Sequence, residues 1–149
     1  MYKHILVPTD GSALSDKAVD AAIILAQALG SRITAFHAIE PYPLQGAYAA
    51  EASGVAELQP EIFAERSEDY ARRVLETFKS TARAANVECA TAYATSRSPS
   101  AAIVDKAREA NCDLIVMASH GRRGLEGFLL GSETQKVLTH SSIPVLVYR

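Results

Sequence analysis

The sequence has no apolar run long enough to span a bilayer. Its longest stretches, Ala21–Ala26 and Leu114–Ala118, fall far short of the ~20 residues a spanning helix needs. It has no basic tract either. Its 15 Lys and Arg and 17 Asp and Glu are spread along the chain, for a net charge of −2. Nothing in that pattern would recruit nucleic acid or an anionic membrane. The start, Met1-Tyr2-Lys3-His4, passes straight into Ile5-Leu6-Val7-Pro8. It has no basic region, long apolar stretch and cleavage site, so no signal peptide is expected. Cysteine is scarce: Cys89 and Cys112 form no CxxC and no zinc spacing. Both are expected as buried, reduced thiols, because free Cys packs as a small hydrophobe. These absences point to the cytoplasm.

Catalytic signatures are missing too. There is no GxSxG, no HExxH and no kinase set. No nucleophile, base and acid can be grouped by local geometry, and two hydrolytic carboxylates cannot be picked from 17 scattered ones. GxxxxGK[ST] and GxGxxG are also absent. The residues argue for binding more than for catalysis.

What is present is ordinary globular material. A chain of 149 residues, 48% hydrophobic and 21% charged, is one domain by length. It buries roughly 70% of its unfolded surface without staples. Five strand-like runs stand out: His4–Val7, Ile33–Ile39, Val87–Tyr93, Asp113–Met117 and Ile143–Tyr148. The first, fourth and fifth are apolar on both faces, as in parallel strands covered on both sides. Helical patterns alternate with them. Leu14, Ala18, Ala21, Ala22, Leu25 and Leu29 keep helical spacing, and Gly30 stops that helix. From about Pro60 to Ala85, Tyr70, Val74, Phe78 and Ala82 form one stripe. Glu65, Glu68, Asp69, Arg72, Arg73 and Glu76 form its charged face. Ser98-Pro99 reads as N-cap and first helical residue, with Ile103, Val104 and Ala107 buried. A last helix follows Gly131-Ser132 and runs to about Thr139. The alternation predicts an α/β fold with a single doubly wound, five-stranded parallel sheet and helices on both faces. The expected strand order is Rossmann-like, 3-2-1-4-5. Pro41–Pro60 is rich in Ala, Gly, Pro and Glu without a sustained period. It reads as a mobile excursion after the second strand.

In such a sheet, ligands bind beyond the strands' C-terminal ends, where the strand order reverses. The segment from Ala118 to Thr134 is a glycine-rich loop running into a helix start. Glycines let backbone approach a ligand, and a helix start offers unpaired N–H groups and partial positive charge to an anion. Ser132 and Thr134 add hydroxyls, and Arg122 and Arg123 add charge. Phosphate is the natural tenant, and a surface loop with a Ser cap is the plain alternative. Asp10, with Thr9 beside it, either accepts from ribose hydroxyls or caps the first helix. His37 reads as a satisfied core histidine, and His120 as a phosphate donor or a structural loop contact. His4 and His140 carry no signal.

At this point the chain resembles the universal stress protein family over essentially its full length. Ile5-Leu6-Val7-Pro8-Thr9-Asp10-Gly11-Ser12 looks like the family's first strand and loop. Asp113–Gly121 looks like its fourth strand and glycine loop, and Ser142–Val147 like its last strand. The family's ATP-binding branch carries G-x2-G-x9-G-[ST]. Here Gly121, nine residues and Gly131-Ser132 match, but Ala118 replaces the first glycine. Gly124 and Gly127 do not restore that register. A methyl there is a small obstacle at negative φ and a serious one at positive φ. The resemblance implies ribose at Asp10, with Pro8 and Thr9 lining the nucleoside site. Ala38 would meet adenine through its backbone, and Met117 would pack nearby. His120, Gly121, Gly131, Ser132, Glu133 and Thr134 would surround the phosphates. The implied cofactor is ATP, with Mg²⁺ on its phosphates. The resemblance also implies a homodimer through the last strand near Val145–Val147, an edge that is hazardous unless paired. A nucleotide-free dimer acting by protein interaction, and a weak ATPase, remain the other readings.

Overall fold

Continuous apolar runs become strands where both their faces are covered, and β1 (His4–Pro8) and β4 (Leu114–Ala118) are the two such strands at the centre of this sheet. The computed structural model describes residues 1–43, 59–121 and 130–149. Most of the expected Pro41–Pro60 excursion therefore lies outside the described residues, as do Arg122, Arg123, Gly124 and Gly127. The sheet has five parallel strands in the order β3-β2-β1-β4-β5, as expected. The others are β2 (Arg32–Ile39), β3 (Cys89–Thr95) and β5 (Val145–Tyr148). The described helices are α1 (Ala13–Leu29), α2 (Pro60–Ala84), α3 (Pro99–Glu109) and α4 (Ser132–His140).

Side-chain alternation splits the core into two layers. Ile5, Val7, Ile33, Ala35, Leu114 and Val116 meet Val19, Ala22 and Ile23 of α1 and Leu75, Phe78 and Ala82 of α2. On the other face, Leu6, Phe36, Ile115 and Met117 meet Ile103, Val104 and Ala107 of α3 and Val137 of α4. Fully burying each large side chain contributes roughly 1.5–3 kcal/mol. Helices thus cover both faces.

Several elements depart from the sequence expectation. β5 takes the expected edge position, but it is only partly buried where its apolar run reads as covered on both faces, because among the described residues it pairs with β4 alone. It also starts two residues later than expected. Ser141 closes a turn there, donating to the Ile143 carbonyl (2.8 Å) and accepting from the Ile143 N–H (3.0 Å). β3 likewise begins at Cys89, after Asn86 takes a left-handed φ of 57° and Val87 buries in the core. Cys89, on that edge, is half-buried rather than buried, while Cys112 is buried. Both are free thiols. Burial raises both pKa values, that of Cys112 to about 11. In α2 the core positions are Ala71, Leu75, Phe78 and Ala82, so Tyr70 and Val74 stand at the edge of the buried stripe. Ser98 is the N-cap residue of α3 but makes no side-chain cap bond. Glu133 of α4 does that work instead, accepting from the Ser100 N–H at 2.9 Å.

The start of β1 is pinned to β4 by charge. The Asp113 carboxylate accepts from the N–H groups of Lys3 (2.8 Å) and His4 (3.0 Å). Its own N–H donates to the His4 carbonyl at 2.9 Å. Desolvation pushes the Asp113 pKa up, but the Lys3 and His4 backbone bonds outweigh it and hold the group low. The buried His4 ring bonds Thr34 Oγ1 through Nε2 at 2.8 Å, while Nδ1 has no hydrogen-bond partner among the described residues. Burial, then the charge of Arg32, lowers the His4 pKa, against the weaker pulls of the Ala110 carbonyl, Asp113 and Glu88.

Both shifts make acid destabilising, in different windows. His4 contributes its stability fully above its ordinary value of 6.5, and loses it as pH falls below that, where the unfolded chain binds the proton first. Asp113 contributes above its ordinary 3.8 and loses stability as pH falls through its depressed folded value. Thermal melts from pH 8 to pH 5 are expected to show a falling Tm, with a shallower fall in His4→Gln. An unchanged slope in that variant would rule out His4 as the titrating group.

Candidate functional site

The strand order reverses between β1 and β4. From β1 the chain crosses to β2 on one side, and β4 lies on the other. Parallel strands deliver their C-terminal loops to one end of the sheet, so Pro8–Ser12 and Ala118–Gly121 meet there, at the place where such a sheet forms its ligand crevice.

The first loop is built by hydroxyls and a carboxylate. Thr9 is buried, and its N–H donates to the Phe36 carbonyl at 2.9 Å. Its hydroxyl accepts from the Gly11 N–H (3.2 Å) and from the Ser15 hydroxyl (2.9 Å). Asp10 Oδ1 accepts from the Ser12 N–H at 2.9 Å. Ser12, not Asp10, caps α1, accepting from the Ser15 N–H at 3.3 Å. Asp10 therefore orients the capping residue. Gly11 turns the chain at φ +76°, a left-handed conformation that L side chains rarely adopt.

The second loop closes on the start of α4. The Gly131 N–H donates to the Ser119 carbonyl (2.8 Å), and the buried Thr134 hydroxyl donates to the Ala118 carbonyl (3.0 Å). Ser119 also donates its N–H to Tyr148 of β5 at 2.7 Å. A Cβ on Gly131 would lie 2.9 Å from His120 Cβ, so this glycine makes room for His120. His120 Nδ1 is 3.0 Å from the Ser119 hydroxyl. A Cβ on Gly121 would lie 2.5 Å from Asp10 Oδ2. Neighbouring residues thus touch the two halves of the crevice, Gly121 the Asp10 carboxylate and His120 the start of α4.

The crevice brings together Asp10, His120, Gly121, Gly131 and the exposed Ser132. Among the described residues no side chain caps the first turn of α4, and a helix start carries partial positive charge. Glu133 is otherwise engaged. Its carboxylate accepts from Ser100 and pairs with Lys136 at 2.9 Å. Desolvation raises its pKa, but bonds from Lys136 and Ser100 prevail and keep it low. Thr9 and Thr134 spend their hydroxyls inside the protein. Pro8 ends β1, while the half-buried Ala38 and buried Met117 pack in the core layer beneath. Ala118 is buried in β4, and among the described residues only Asn86 and Asn111 are non-glycines at positive φ. The Ala118 methyl therefore adds bulk without backbone strain.

Two neighbours of the first loop were not singled out from sequence. The Tyr70 hydroxyl donates to the Asp10 carbonyl at 2.8 Å, and Ser15 bonds Thr9. A tyrosine among Val, Phe and Ala on a helix stripe carried the signal for the first, since a half-buried phenol needs a partner. His37 is a satisfied core histidine, with Nδ1 2.8 Å from the Thr9 carbonyl. Among the described residues, no group of three His, Cys, Asp or Glu side chains could hold a metal ion. No described helix is long and apolar enough to cross a membrane.

Comparison with known proteins agrees with this architecture. The sequence model of the universal stress protein family matches residues 1–149. Universal stress protein MJ0531 of Methanocaldococcus jannaschii is 33% identical over 149 residues, covering all of this chain and 83% of that protein. Universal stress protein YxiE of Bacillus subtilis is 32% identical over the full length of both. The solved structure of protein MJ0577 superposes with a TM-score of 0.78 at 26% identity, covering 99% of this chain and 95% of that one. A universal stress protein in complex with cAMP superposes at 0.71 with 27% identity, covering 99% and 97%.

Among the described residues, the two positive-φ glycines, Gly11 and Gly30, separate backbone strain from crowding. Nothing lies within 4 Å of a Cβ on Gly30, whereas one on Gly11 would meet the Tyr70 hydroxyl at 2.5 Å. Chemical denaturation should show Gly30→Ala costing about 1 kcal/mol and Gly11→Ala about 2–4 kcal/mol. Equal losses would mean that Tyr70 does not crowd the turn.

Proposed function

The chain belongs to the universal stress protein family, and from that premise we propose that it binds ATP or a related adenine nucleotide in the crevice between β1 and β4. Asp10 takes the ribose, with Pro8 and Thr9 shaping that end. Adenine lies by the Ala38 backbone and Met117. The phosphates lie at Gly121, Gly131, Ser132 and the first-turn N–H groups of Glu133 and Thr134, near His120. The observation that carries this reading is the approach of Gly121 to the Asp10 carboxylate beside the start of α4, which no side chain among the described residues caps. That juxtaposition sets an acceptor for sugar hydroxyls next to donors for an anion. The relative in complex with cAMP supports the same ligand class. Mg²⁺ would travel on the phosphates and its own waters, as it commonly does. The protein works by binding, with hydrolysis slow or absent, in a cytoplasmic stress response.

Ala118 favours a second reading. Its methyl stands at the end of β4, and if it bars the phosphates the protein is a nucleotide-free interaction module.

Homodimerisation through β5 belongs to both readings. β5 is the last strand of the sheet, and Leu146 on it is 41% exposed. An edge with apolar side chains invites pairing.

Two experiments test these readings. MgATP at a hundred times its Kd should raise Tm by roughly 5–10 °C, and Asp10→Ala should lose most of that rise. An empty extract from denatured protein, with no Tm shift, would leave only the nucleotide-free reading. Light scattering should find a dimer that Leu146→Asp converts to monomer. A wild-type monomer at micromolar concentration would end the dimer proposal.

A further inference from the structure

The turn that aims Asp10 has a weak point, the peptide between Asp10 and Gly11. A glycine at φ +76° can relax by flipping that peptide, which would reverse the Asp10 carbonyl and the Gly11 N–H together. Here both ends are held. The carbonyl accepts from the Tyr70 hydroxyl at 2.8 Å, and the N–H donates to Thr9 Oγ1 at 3.2 Å. The preceding carbonyl, of Thr9, is 2.8 Å from His37 Nδ1. A carbonyl only accepts, so Nδ1 carries the proton there. The His37 and Tyr70 rings meet edge to face, with centroids 5.6 Å apart at 63°. Tyr70 also fills the space a side chain on residue 11 would need, its hydroxyl 2.5 Å and Val74 Cγ2 3.0 Å from that point.

We infer that Tyr70 is a positioning residue of the crevice: its hydroxyl fixes the Asp10–Gly11 peptide and so holds the Asp10 carboxylate against Gly121. The contribution to ligand binding rests on the nucleotide reading above; the contribution to the turn does not. Tyr70 makes α2 part of the site, although α2 supplies none of the groups assigned to the ligand. Occupying the crevice and ordering the junction of α2 with the turn are then linked, each favouring the other.

Tyr70→Phe keeps the ring and its packing and removes only the hydroxyl. In the ligand-free protein, amide NMR signals should shift at Asp10, Gly11 and Ser12, and across the crevice at Gly121. Shifts confined to α2 would overturn the inference whether or not the protein binds nucleotide. By calorimetry, Tyr70→Phe should weaken ATP about three- to tenfold. It should add nothing further when Asp10 is already Ala, because it acts through that carboxylate. Equal weakening in both backgrounds would mean a general structural role and would also overturn it. A wild-type protein that binds no ATP would refute the nucleotide reading, and the Gly121 shift would still decide the role of Tyr70.

Discussion

The loops leaving β1 and β4 approach so closely that an Asp10 carboxylate oxygen stands 2.5 Å from where residue 121 would carry a Cβ. Much of the molecule is arranged around that contact. Asp10 can stand there because Gly11 turns the chain with left-handed φ and because Thr9, Ser12 and Ser15 satisfy the loop's hydrogen-bonding groups. Gly121 can stand there because β4 pairs with β1 and the Ser119 N–H is tied to β5. Beneath both loops, two apolar layers fix the strands and leave no freedom to separate the crevice walls without disturbing the core.

The sheet was legible because its central strands are short, continuous apolar runs, which only burial on both faces explains. The edge position of β5 was legible too, from the strand order, but its apolar run reads as covered on both faces, whereas Val145-Leu146-Val147-Tyr148 is only partly buried. Composition reports affinity for apolar surroundings and not whether this chain or another copy supplies them. Strand boundaries slipped where local bonds set them, at Asn86 before β3 and at the Ser141 turn before β5.

The candidate site was legible at its glycines and at Asp10, since those residue types at the ends of parallel strands have few purposes. Their reasons were less visible. Gly131 reads as room for a ligand, yet its missing side chain first makes room for His120. Ser98 reads as a helix cap by position, but the cap comes from Glu133, 33 residues beyond Ser100. Tyr70 reads as core by spacing while its hydroxyl reaches a turn 60 residues earlier. Periodicity finds the buried stripe of a helix; it cannot say which residue at the stripe's edge reaches a loop formed elsewhere in the chain.

The Glu133 bond to Ser100 has a consequence for charge. Two described helices, α3 and α4, begin near each other, and each start carries the partial positive charge of a helix N-terminus. Glu133 gives α3 a resident anion, while among the described residues no side chain serves the first turn of α4 in this way. Of these two adjoining helix starts, the chain neutralises one with its own carboxylate. That carboxylate is carried by α4 itself, so the charge that settles the start of one helix also braces the first turn of the other against its neighbour.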